Sequence, residues 1–412
     1  MALIVQKFGG TSVANIERIK AAALIVLKEQ LAGNRVVVVV SAMAGVTNIL
    51  SSKCSEVSDL NAYEHMQEYD AVVSSGEILT SGLLALELQR LGLKSRSLQG
   101  WQIPIITNDN FANARVDSIN TDLLCKLIAE DIIPVITGFQ GVTDDGQITT
   151  LGKGGSDTTA ALISAALKAD RADIYTDVIG VFTADPRIVN NVFKINTIGA
   201  KQMLSICMNG AKVLHPRAAL AVLRYKFDMR ILSSFEDNTG TLITSENIDH
   251  RLSNMEEKKI TAITSNKNLL QIELIISPNS FSSVIKSFSA QGLNIDRLEF
   301  DYINKVTIII SIADKNKFEA TIQNLKMEGK ILGHKIDSNI STVTLVGYGI
   351  KSDNGFCFKL IDLLNQDQIK TKKIDVTETE FTAILDDQDT EKAVKILHSM
   401  CYSFLPKDED NQ

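Results

Sequence analysis

The sequence predicts an α/β protein that begins with a mostly parallel sheet covered by helices on both faces and ends in two small α+β units. Two observations support this prediction. Strand-like and helix-like stretches alternate over residues 1–235, and a pattern of strand, helix, two strands and helix occurs twice after residue 260. Such alternation is typical of parallel sheets. A short repeated unit is typical of paired small-molecule-sensing modules.

The length and composition are those of a globular protein with several domains. The chain has 412 residues, which at roughly 150 residues per domain predicts two or three domains. Hydrophobic residues make up 45% of the sequence and charged residues 22%, as in ordinary globular proteins. The formal net charge of −7 argues against a nucleic-acid-binding protein, which would need a basic face. Positive charge for an anionic ligand must therefore be local.

The cysteines and the first residues predict a cytoplasmic location. The five cysteines are scattered without paired spacing, which is typical of reduced cysteines in a cytosolic protein. Only Leu3, Ile4 and Val5 form an apolar run before Gln6 and Lys7, far short of a signal-peptide core. No run approaches the roughly 20 apolar residues that span a bilayer. We therefore expect neither a membrane nor a nucleic acid among the partners.

The first half opens with a short apolar run at residues 3–6, which ends before a glycine pair. Residues 14–31 place apolar side chains at helical spacing, and residues 36–40 form an unbroken β-branched run typical of a strand buried on both faces. Strand-like runs recur at residues 132–137 and 173–176. Ligands of such sheets bind beyond the carboxyl ends of the strands. The polar loops at those ends are therefore the candidate sites.

The second half begins where the sequence becomes polar and charged, and we interpret residues 236–260 as a linker. The two repeated units follow it. The domain boundaries that we expect are 1–245, 260–335 and 340–405, with a frayed acidic tail after residue 405.

Residues 7–13 form the first candidate loop, in which a lysine and two glycines lie between a strand and a helix. Glycine lets backbone N–H groups approach phosphate oxygens, and a helix N-terminus adds the positive end of its dipole. Lys7 would add a point charge for a transferring phosphoryl group. For this loop alone, a tight turn with a solvated lysine is the better interpretation. The loop is not a Walker A motif, because Gly-x-x-x-x-Gly-Lys-Ser/Thr is absent.

Residues 151–160 form the second candidate loop, with three glycines, Lys153 and Asp157 directly before an alanine-rich helix. One alternative is that Ser156 or Asp157 merely caps the helix, a role worth about 1 kcal/mol. A cap does not require the Gly-Lys-Gly-Gly sequence. We therefore favour a phosphate site, in which Asp157 would orient a lysine or a magnesium ion.

Three further patches are weaker candidates when each is taken alone. Residues 175–187 end a strand with an aromatic side chain, two carboxylates and an arginine, which would suit nucleotide and metal–phosphate contacts. Residues 210–217 offer Lys212 as a second phosphate cation, whereas His215 precedes a proline and is better explained as structural than as a general base. Glu77 could hold an ammonium group, although an isolated glutamate is usually a solvated surface residue.

In order and spacing, residues 7–13, 152–160, 176–187 and 211–217 resemble the aspartokinases of the amino-acid-kinase superfamily. The resemblance covers the whole chain, because that family has two C-terminal ACT units. It implies a three-layer αβα sandwich kinase domain followed by two α+β, ferredoxin-like ACT domains. It also implies ATP and magnesium as cofactors and phosphorylation of L-aspartate to 4-phospho-L-aspartate. This reaction is the first step toward lysine and diaminopimelate, threonine and methionine.

The resemblance also implies roles for individual residues. Lys7 and Asp157 would form the catalytic centre. Because a carboxylate is already a nucleophile at neutral pH, no general base is needed, and catalysis reduces to positioning and charge neutralisation. No residue is assigned as a direct metal ligand. The residues implied around ATP are Lys7, Gly9, Gly10, Ser12, Ser156, Thr176, Asp177, Phe182, Asp185, Arg187 and Lys212, and those implied around aspartate are Ser41, Thr47, Glu77, Lys153 and Gly154.

Two departures from the family pattern bear on substrate binding and regulation. Many relatives have arginine at the position of Lys153, and lysine offers only a point charge to a carboxylate. The first ACT loop, residues 277–282, lacks the glycine that lets backbone amides approach an effector. We therefore expect weak or altered feedback by lysine or threonine, with the ACT pair retained mainly to form a homodimer or higher oligomer. The alternative, that the diverged loop still binds lysine, stays open.

Two other functions remain as alternatives. One is a related kinase that acts on another amino acid. The other is a non-catalytic amino-acid sensor with an inactive kinase fold. Loss of Lys7 or Asp157 would favour the sensor, and both residues are present.

Overall fold

A computed structural model describes residues 1–60, 63–245, 260–291, 293, 295–301, 304–352 and 354–402. Contacts divide the described residues into two compact units. The first draws on Met1–Phe182, Phe193–Met208 and Lys212–Met255, and the second on Thr183–Val192, Asn209–Ala211 and Glu256–Gln412.

The first unit is an α/β domain in which strands and helices alternate along the chain. Its strands are β1 (Leu3–Phe8), β2 (Arg35–Val40), β3 (Ser95–Leu98), β4 (Ile105–Thr107), β5 (Val116–Ile119), β6 (Ile133–Thr137), β7 (Gln140–Val142), β8 (Ile148–Thr150), β9 (Arg171–Thr176), β10 (Val181–Phe182), β11 (Lys194–Ile195), β12 (Thr197–Gly199), β13 (Asp228–Ser233) and β14 (Thr241–Thr244). Its helices are α1 (Ile16–Leu31), α2 (Val46–Val57), α3 (Tyr63–Val73), α4 (Ser75–Arg90), α5 (Asp122–Ala129), α6 (Gly155–Leu167), α7 (Ala200–Met208) and α8 (Pro216–Tyr225).

Eight of these strands form the main sheet, in the order β12-β14-β13-β9-β1-β2-β6-β3. All neighbouring pairs are parallel except β13 and β14. β2 is buried along its valine run, as expected for a strand covered on both faces. A smaller sheet, β5-β4-β7-β8, leads into α6. The predicted α/β class with a mostly parallel sheet is confirmed.

The core between the sheet and α1 explains why residues 16–31 form a helix. Ile19, Ala23 and Val26 are buried at helical spacing and join a cluster that contains Phe8 and Val38. Asn15 caps the helix: its side-chain oxygen accepts a hydrogen bond from the Arg18 N–H at 2.9 Å. β1 and β2 are therefore supported by the packed core between the sheet and α1.

The linker assigned to residues 236–260 is wrong in its first part. Thr241–Thr244 is β14, which pairs with β12 and β13 inside the main sheet. Its central residues Leu242 and Ile243 lie between threonines, and this four-residue strand was hidden by the polar residues on both sides. Residues 246–259 of the predicted linker lie outside the described residues.

The second unit repeats the predicted pattern of strand, helix, two strands and helix. Its elements are β15 (Ile260–Ile276), α9 (Phe281–Ala290), β16 (Ile295–Asp301), β17 (Lys305–Ser311), α10 (Lys315–Met327), β18 (Ile331–Gly347), α11 (Asn354–Gln366), β19 (Thr371–Val376), β20 (Glu380–Asp386) and α12 (Thr390–Tyr402). The strands form one sheet in the order β16-β17-β15-β18-β20-β19.

Among the described residues, each repeat has one large hydrophobic core on this sheet, and a third, smaller cluster joins Leu269, Ile309, Ile340 and Ile384. The first contains Leu274 and Phe288, whereas the second contains Phe381 and Leu397. Ile263, near the start of β15, belongs to the second core. The two long strands β15 and β18 therefore run through both cores, and the boundaries 260–335 and 340–405 stay a prediction.

One helical segment, Tyr63–Arg90, is long and apolar enough to cross a membrane by length and composition alone. We expected no segment of this kind, but α3 and α4 follow each other with only Ser74 between them. Half of its most apolar stretch is buried inside the fold. A core helix passes the same test, so the segment is weak evidence for a membrane span.

Candidate active site

A cavity of about 320 Å³ opens at the carboxyl ends of β1 and β2. Three stretches of chain form most of its wall: the end of β1, the turn from β2 into α2, and the loop from β8 into α6. Residues 151–155 of the last stretch are called the glycine loop below. The lining residues are Lys7, Gly10, Ser41, Ala42, Met43, Ala44, Gly45, Thr47, Asn48, Glu77, Phe139, Gly152, Lys153, Gly154, Gly155, Ser156 and Asp157.

Lys7 and Asp157 form an ion pair in the wall of this cavity. The Lys7 Nζ lies 2.5 Å from Asp157 Oδ1, and the two side chains are only 10% and 13% exposed. The other oxygen, Oδ2, accepts a hydrogen bond from the His215 backbone N–H at 3.3 Å. Our placement of Lys7 in a solvated loop is wrong, because the lysine is the penultimate residue of β1. A buried strand position is possible for lysine here because Asp157 compensates its charge.

The glycine loop uses left-handed backbone at two positions. Gly152 has φ +74° and Gly154 has φ +71°, with Lys153 between them. A Cβ atom on Gly154 would lie 2.4 Å from the His215 ring, so only glycine fits there. α6 begins at Gly155 and places Asp157 in its first turn. The positive end of this helix therefore faces the cavity, as an anion site requires.

The two glycines after β1 have different roles. The Gly9 N–H donates a hydrogen bond to the Tyr175 carbonyl at 3.0 Å, so this amide is already used. Gly10 lines the cavity, and a Cβ atom there would lie 3.0 Å from the Ala42 carbonyl oxygen. Gly9 therefore fastens the loop to β9, whereas Gly10 lets the loop approach the end of β2 closely.

Glu77 also lines the cavity, from the first turn of α4, and is 3% exposed. Its Oε1 accepts a hydrogen bond from the Ala42 N–H at 3.0 Å, and its Oε2 is buried without a hydrogen-bond partner among the described residues. Burial raises the pKa of Glu77 from 4.5 to about 7, although the Ala42 N–H opposes the shift. A carboxylate in this state is suited to an incoming ammonium group.

Ser12 and Thr176 lie beyond the cavity, at the carboxyl ends of neighbouring strands. The Ser12 hydroxyl donates to the Tyr175 carbonyl at 3.3 Å and accepts a hydrogen bond from the Ser234 hydroxyl at 2.8 Å. Thr176 ends β9, and its hydroxyl donates to Asp177 at 3.2 Å. Ser12 is fully buried, so the accessible polar groups beyond the carboxyl end of β9 are those of Thr176 and Asp177, where a nucleotide could lie.

Phe182 and Lys212 belong to the first unit but do not line the cavity. Phe182 ends the short strand β10, and Lys212 is exposed just before α8. Asp185 and Arg187 belong to the second unit and form an ion pair with each other at 2.7 Å. Of the predicted site residues, the cavity brings together Lys7, Gly10, Ser41, Thr47, Glu77, Lys153, Gly154, Ser156 and Asp157.

Several residues of the site were not predicted. Phe139 and Asn48 line the cavity, and Ser234 bonds Ser12. Phe139 has an unusual φ of +70° that no local sequence signal indicates. The Ala42 amide has a role only because it donates a hydrogen bond to Glu77, which comes from a different segment. These roles depend on contacts between distant segments.

His215 has the structural role that we expected. Its Nδ1 accepts a hydrogen bond from the Arg217 N–H at 3.3 Å and so caps α8. Burial lowers its pKa, although Asp157 opposes the shift, and the ring is therefore neutral near pH 7. The capping hydrogen bond to Nδ1 accounts for the presence of His215 at this position.

Magnesium has no ready-made site in the described residues, which contain no cluster of three His, Cys, Asp or Glu side chains. Both oxygens of Asp157 already have partners, namely Lys7 and the His215 amide. Mg²⁺ commonly binds through substrate phosphates and waters with one or two carboxylates. The residues present would fit a magnesium ion that arrives with the nucleotide, and Asp157 is the cavity carboxylate that would hold it.

The chain is similar to known kinases in both sequence and fold. Residues 2–233 match the amino acid kinase family. An aspartokinase of Rickettsia felis is 48% identical over 402 residues, which cover 97% of this chain and 99% of the relative. The fold matches Escherichia coli aspartokinase III in complex with aspartate and ADP, with a TM-score of 0.81, 24% identity and coverage of 96% and 99%. The same enzyme in complex with lysine and aspartate matches with a TM-score of 0.73, 23% identity and coverage of 97% and 99%.

Proposed function

The chain belongs to the amino acid kinase family and, within it, to the aspartokinases, and we propose from this premise that the cavity around Lys7 and Asp157 is where it phosphorylates aspartate. The chain is thus an ATP-dependent kinase with a carboxyl group as acceptor. The observation that supports the location best is the buried Lys7–Asp157 ion pair beside the glycine loop.

The glycine-loop side of the cavity receives the γ-phosphoryl group. Lys7 supplies a positive charge there, and the N-terminus of α6 adds backbone N–H groups, with Ser156 in its first turn. Asp157 holds Lys7 in place before ATP binds. Charge that develops on the equatorial phosphoryl oxygens is then met by groups that need no reorganisation.

Aspartate occupies the space between Glu77 and the glycine loop. The unpartnered Glu77 Oε2 binds the substrate ammonium, and the exposed Lys153 binds a carboxylate. Ser41 and Thr47 offer hydroxyl groups from the turn after β2 and from α2. The free substrate carboxylate attacks the γ-phosphorus in line, the bond to the β,γ-bridging oxygen breaks, and ADP leaves.

ATP extends from the cavity over the carboxyl ends of β1, β9 and β13. Thr176 and Asp177 border this surface, and we assign Gly9, Ser12, Phe182 and Lys212 to the same nucleotide, although Ser12 is fully buried. Asp185 and Arg187 remain proposed ATP contacts on the basis of the family resemblance. Magnesium, when bound with ATP, neutralises phosphate charge, and Asp157 is the residue that we propose to contact it.

Hydroxylamine trapping of the acyl phosphate tests this function. ATP-dependent hydroxamate should form with aspartate and be at least roughly tenfold slower with glutamate at equal concentration, since a binding site rejects a substrate with an extra methylene. A panel of other carboxylates separates a related amino-acid kinase from an aspartate kinase. Turnover of glutamate but not aspartate would refute the assignment, and no turnover of any substrate would favour a non-catalytic sensor.

The second unit is proposed to be a pair of ACT domains that sense an amino acid and form a homodimer or higher oligomer. The first loop lacks glycine, but Asn279 adopts φ +65° there, so its turn geometry does not require glycine. We retain the proposal of weak or altered feedback by lysine or threonine. Strong inhibition by millimolar lysine, threonine or both would contradict it.

We propose the metabolic place of the enzyme from its reaction and its location in the cell from its cysteines. The product, 4-phospho-L-aspartate, is proposed to feed lysine and diaminopimelate, threonine and methionine synthesis. A cytoplasmic location is proposed from the scattered cysteines.

A further inference from the structure

Asp70 is a fully buried carboxylate whose partners all come from two other segments of the chain. Its oxygens accept hydrogen bonds from the Ala112 N–H at 3.0 and 2.9 Å, the Thr150 N–H at 2.7 Å and the Thr150 hydroxyl at 2.7 Å. No ion pair compensates its charge among the described residues. Burying a carboxylate in this way is costly and is offset only by such a complete set of donors.

Asp70 joins the turn at Ala112 to the end of β8, directly before the glycine loop. Thr150 ends β8 and directly precedes that loop. Ala112 has φ +62°, and its carbonyl oxygen would lie 2.9 Å from a Cβ atom on Gly152. The turn and the loop therefore pack backbone against backbone, with Asp70 fastening both.

Arg217 fastens the same two segments from the other side. Its Nη1 donates to the Leu151 carbonyl at 2.8 Å, and its Nη2 donates to the Ala114 carbonyl at 3.2 Å. The side chain comes from the first turn of α8, the helix that His215 caps. The beginning of the glycine loop thus lies between a buried anion and a half-buried cation.

Asp70 and Glu77 belong to the same helical segment, Tyr63–Arg90. Glu77 and the glycine loop with Lys153 both line the cavity. Asp70 therefore ties the helical segment that carries Glu77 to the start of the glycine loop: one turn of this segment holds the loop, and another presents the Glu77 carboxylate to the substrate ammonium. We propose that Asp70 and Arg217 are positioning residues that fix the span between Glu77 and the glycine loop, and thereby select aspartate over longer dicarboxylic amino acids.

This inference rests on the proposed function, because it assigns aspartate to the space between Glu77 and the glycine loop, where the γ-phosphoryl group is received. A dicarboxylic amino acid with one more methylene needs a wider span between its ammonium and its reacting carboxylate. If the glycine loop is held at a fixed distance, the longer substrate misplaces its carboxylate relative to Lys7. Small displacements of this kind strongly reduce turnover.

The test is Asp70→Asn, which keeps the side-chain shape but places an amide donor against backbone N–H groups. We expect the KM for aspartate to rise about tenfold or more. The preference for aspartate over glutamate, measured as the ratio of kcat/KM values or as competing binding, should fall about tenfold. An unchanged preference for aspartate over glutamate overturns the proposal.

A second pair of variants decides the matter if Asp70→Asn does not fold. Thr150→Val removes one hydroxyl donor to Asp70, whereas Thr150→Ser keeps it. The valine variant should lower the preference for aspartate by about threefold, and the serine variant should match the wild type. An equal preference for aspartate in the valine and serine variants overturns the proposal.

Asp173→Asn is the matched control, because Asp173 is also fully buried but is paired with Arg171 and Arg230 in the main sheet. This variant should lose stability without changing the preference for aspartate over glutamate. A wild-type chain that fails to phosphorylate aspartate refutes the proposed function itself. An active wild type with an unaffected Asp70→Asn variant refutes only the positioning role.

Discussion

The ammonium group of Lys7 lies 2.5 Å from the Asp157 carboxylate, at the meeting point of the central strand β1 and the first turn of α6. Both side chains are largely buried, so solvent and salt screen their attraction little. The pair places a cation in the cavity wall before any phosphate enters. Lys7 then supplies charge to the reaction, and Asp157 holds Lys7 in position. Substitutions at the two positions should therefore have separable effects.

Asp157→Asn should lower both stability and turnover. Removing one partner of a buried ion pair leaves the other uncompensated, so the free energy of unfolding should fall by about 3 kcal/mol. With Lys7 released from its position, kcat should fall about 100-fold. Urea unfolding and the hydroxamate rate measure the two effects.

Asp237→Asn is the control for that experiment. Asp237 pairs with Lys28 at 2.8 Å, but both side chains are mostly exposed. Such surface pairs contribute about 0–1 kcal/mol, so this variant should unfold like the wild type. If Asp157→Asn were as stable as Asp237→Asn, the ion pair would not have the structural role assigned to it.

The KM for aspartate should depend on pH through Glu77. Below a pKa of about 7 the carboxyl group is protonated and cannot pair with an ammonium group, so KM should rise as pH falls from 8 to 6. Glu77→Gln should lose this dependence and show a KM about 10-fold to 100-fold higher at pH 8. A Glu77→Gln variant with the wild-type pH profile would show that another group binds the ammonium.

Glu77→Gln should weaken aspartate binding but raise the stability of the folded protein at pH 8. Because the folded pKa of Glu77 lies above its unfolded value of 4.5, the folded state binds more protons between these two values. The contribution of Glu77 to the free energy of unfolding is therefore present below pH 4.5 and lost as pH rises to about 7. Glu77→Gln should be more stable than the wild type at pH 8, as judged by thermal unfolding. Lower stability at that pH would contradict the raised pKa.

Lys153→Arg should strengthen aspartate binding, because a guanidinium group can hold a carboxylate with two parallel hydrogen bonds. We expect the KM for aspartate to fall a few-fold, and Lys153→Met should raise it about tenfold. Neither change should alter the KM for ATP by more than about twofold, since we assign Lys153 to the acceptor. Equal effects on both substrates would place Lys153 on the nucleotide instead.

Gly154→Ala should disrupt the glycine loop more than its backbone conformation alone explains. Gly154 and Gly146 both have positive φ, +71° and +89°, but only Gly154 has His215 where a Cβ atom would lie. Gly146→Ala should cost about 1 kcal/mol of stability and leave turnover intact. Gly154→Ala should cost more and lower kcat at least about tenfold, as measured by urea unfolding and hydroxamate formation. Equal effects of the two substitutions would remove the steric argument.

Local patterns in the sequence were sufficient for β1, α1, β2, β6, α6 and β9 of the first unit. The valine run at residues 36–40 and the apolar spacing of residues 14–31 predict β2 and α1, because a buried strand and an amphipathic helix have distinct periods. The glycine loop was predicted from its composition. β14 was missed because its four residues lie within a polar stretch.

Contacts between distant segments were beyond local patterns. Lys7 was placed in a loop because its neighbours are glycines, and its burial depends on Asp157, which lies on α6. Asp70 gave no signal at all, since its donors come from Ala112 and Thr150. The raised pKa of Glu77 likewise arises from the way α4 packs against the turn after β2.

Lys7→Met, assayed for ATP-dependent hydroxamate formation with aspartate beside the wild type, tests the central role of the cavity most directly. Loss of the charge that meets the γ-phosphoryl group should lower the rate about 1,000-fold, while circular dichroism shows a folded chain. A folded Lys7→Met variant that keeps more than about a tenth of the wild-type rate would contradict the account, because phosphoryl transfer would then not depend on this lysine.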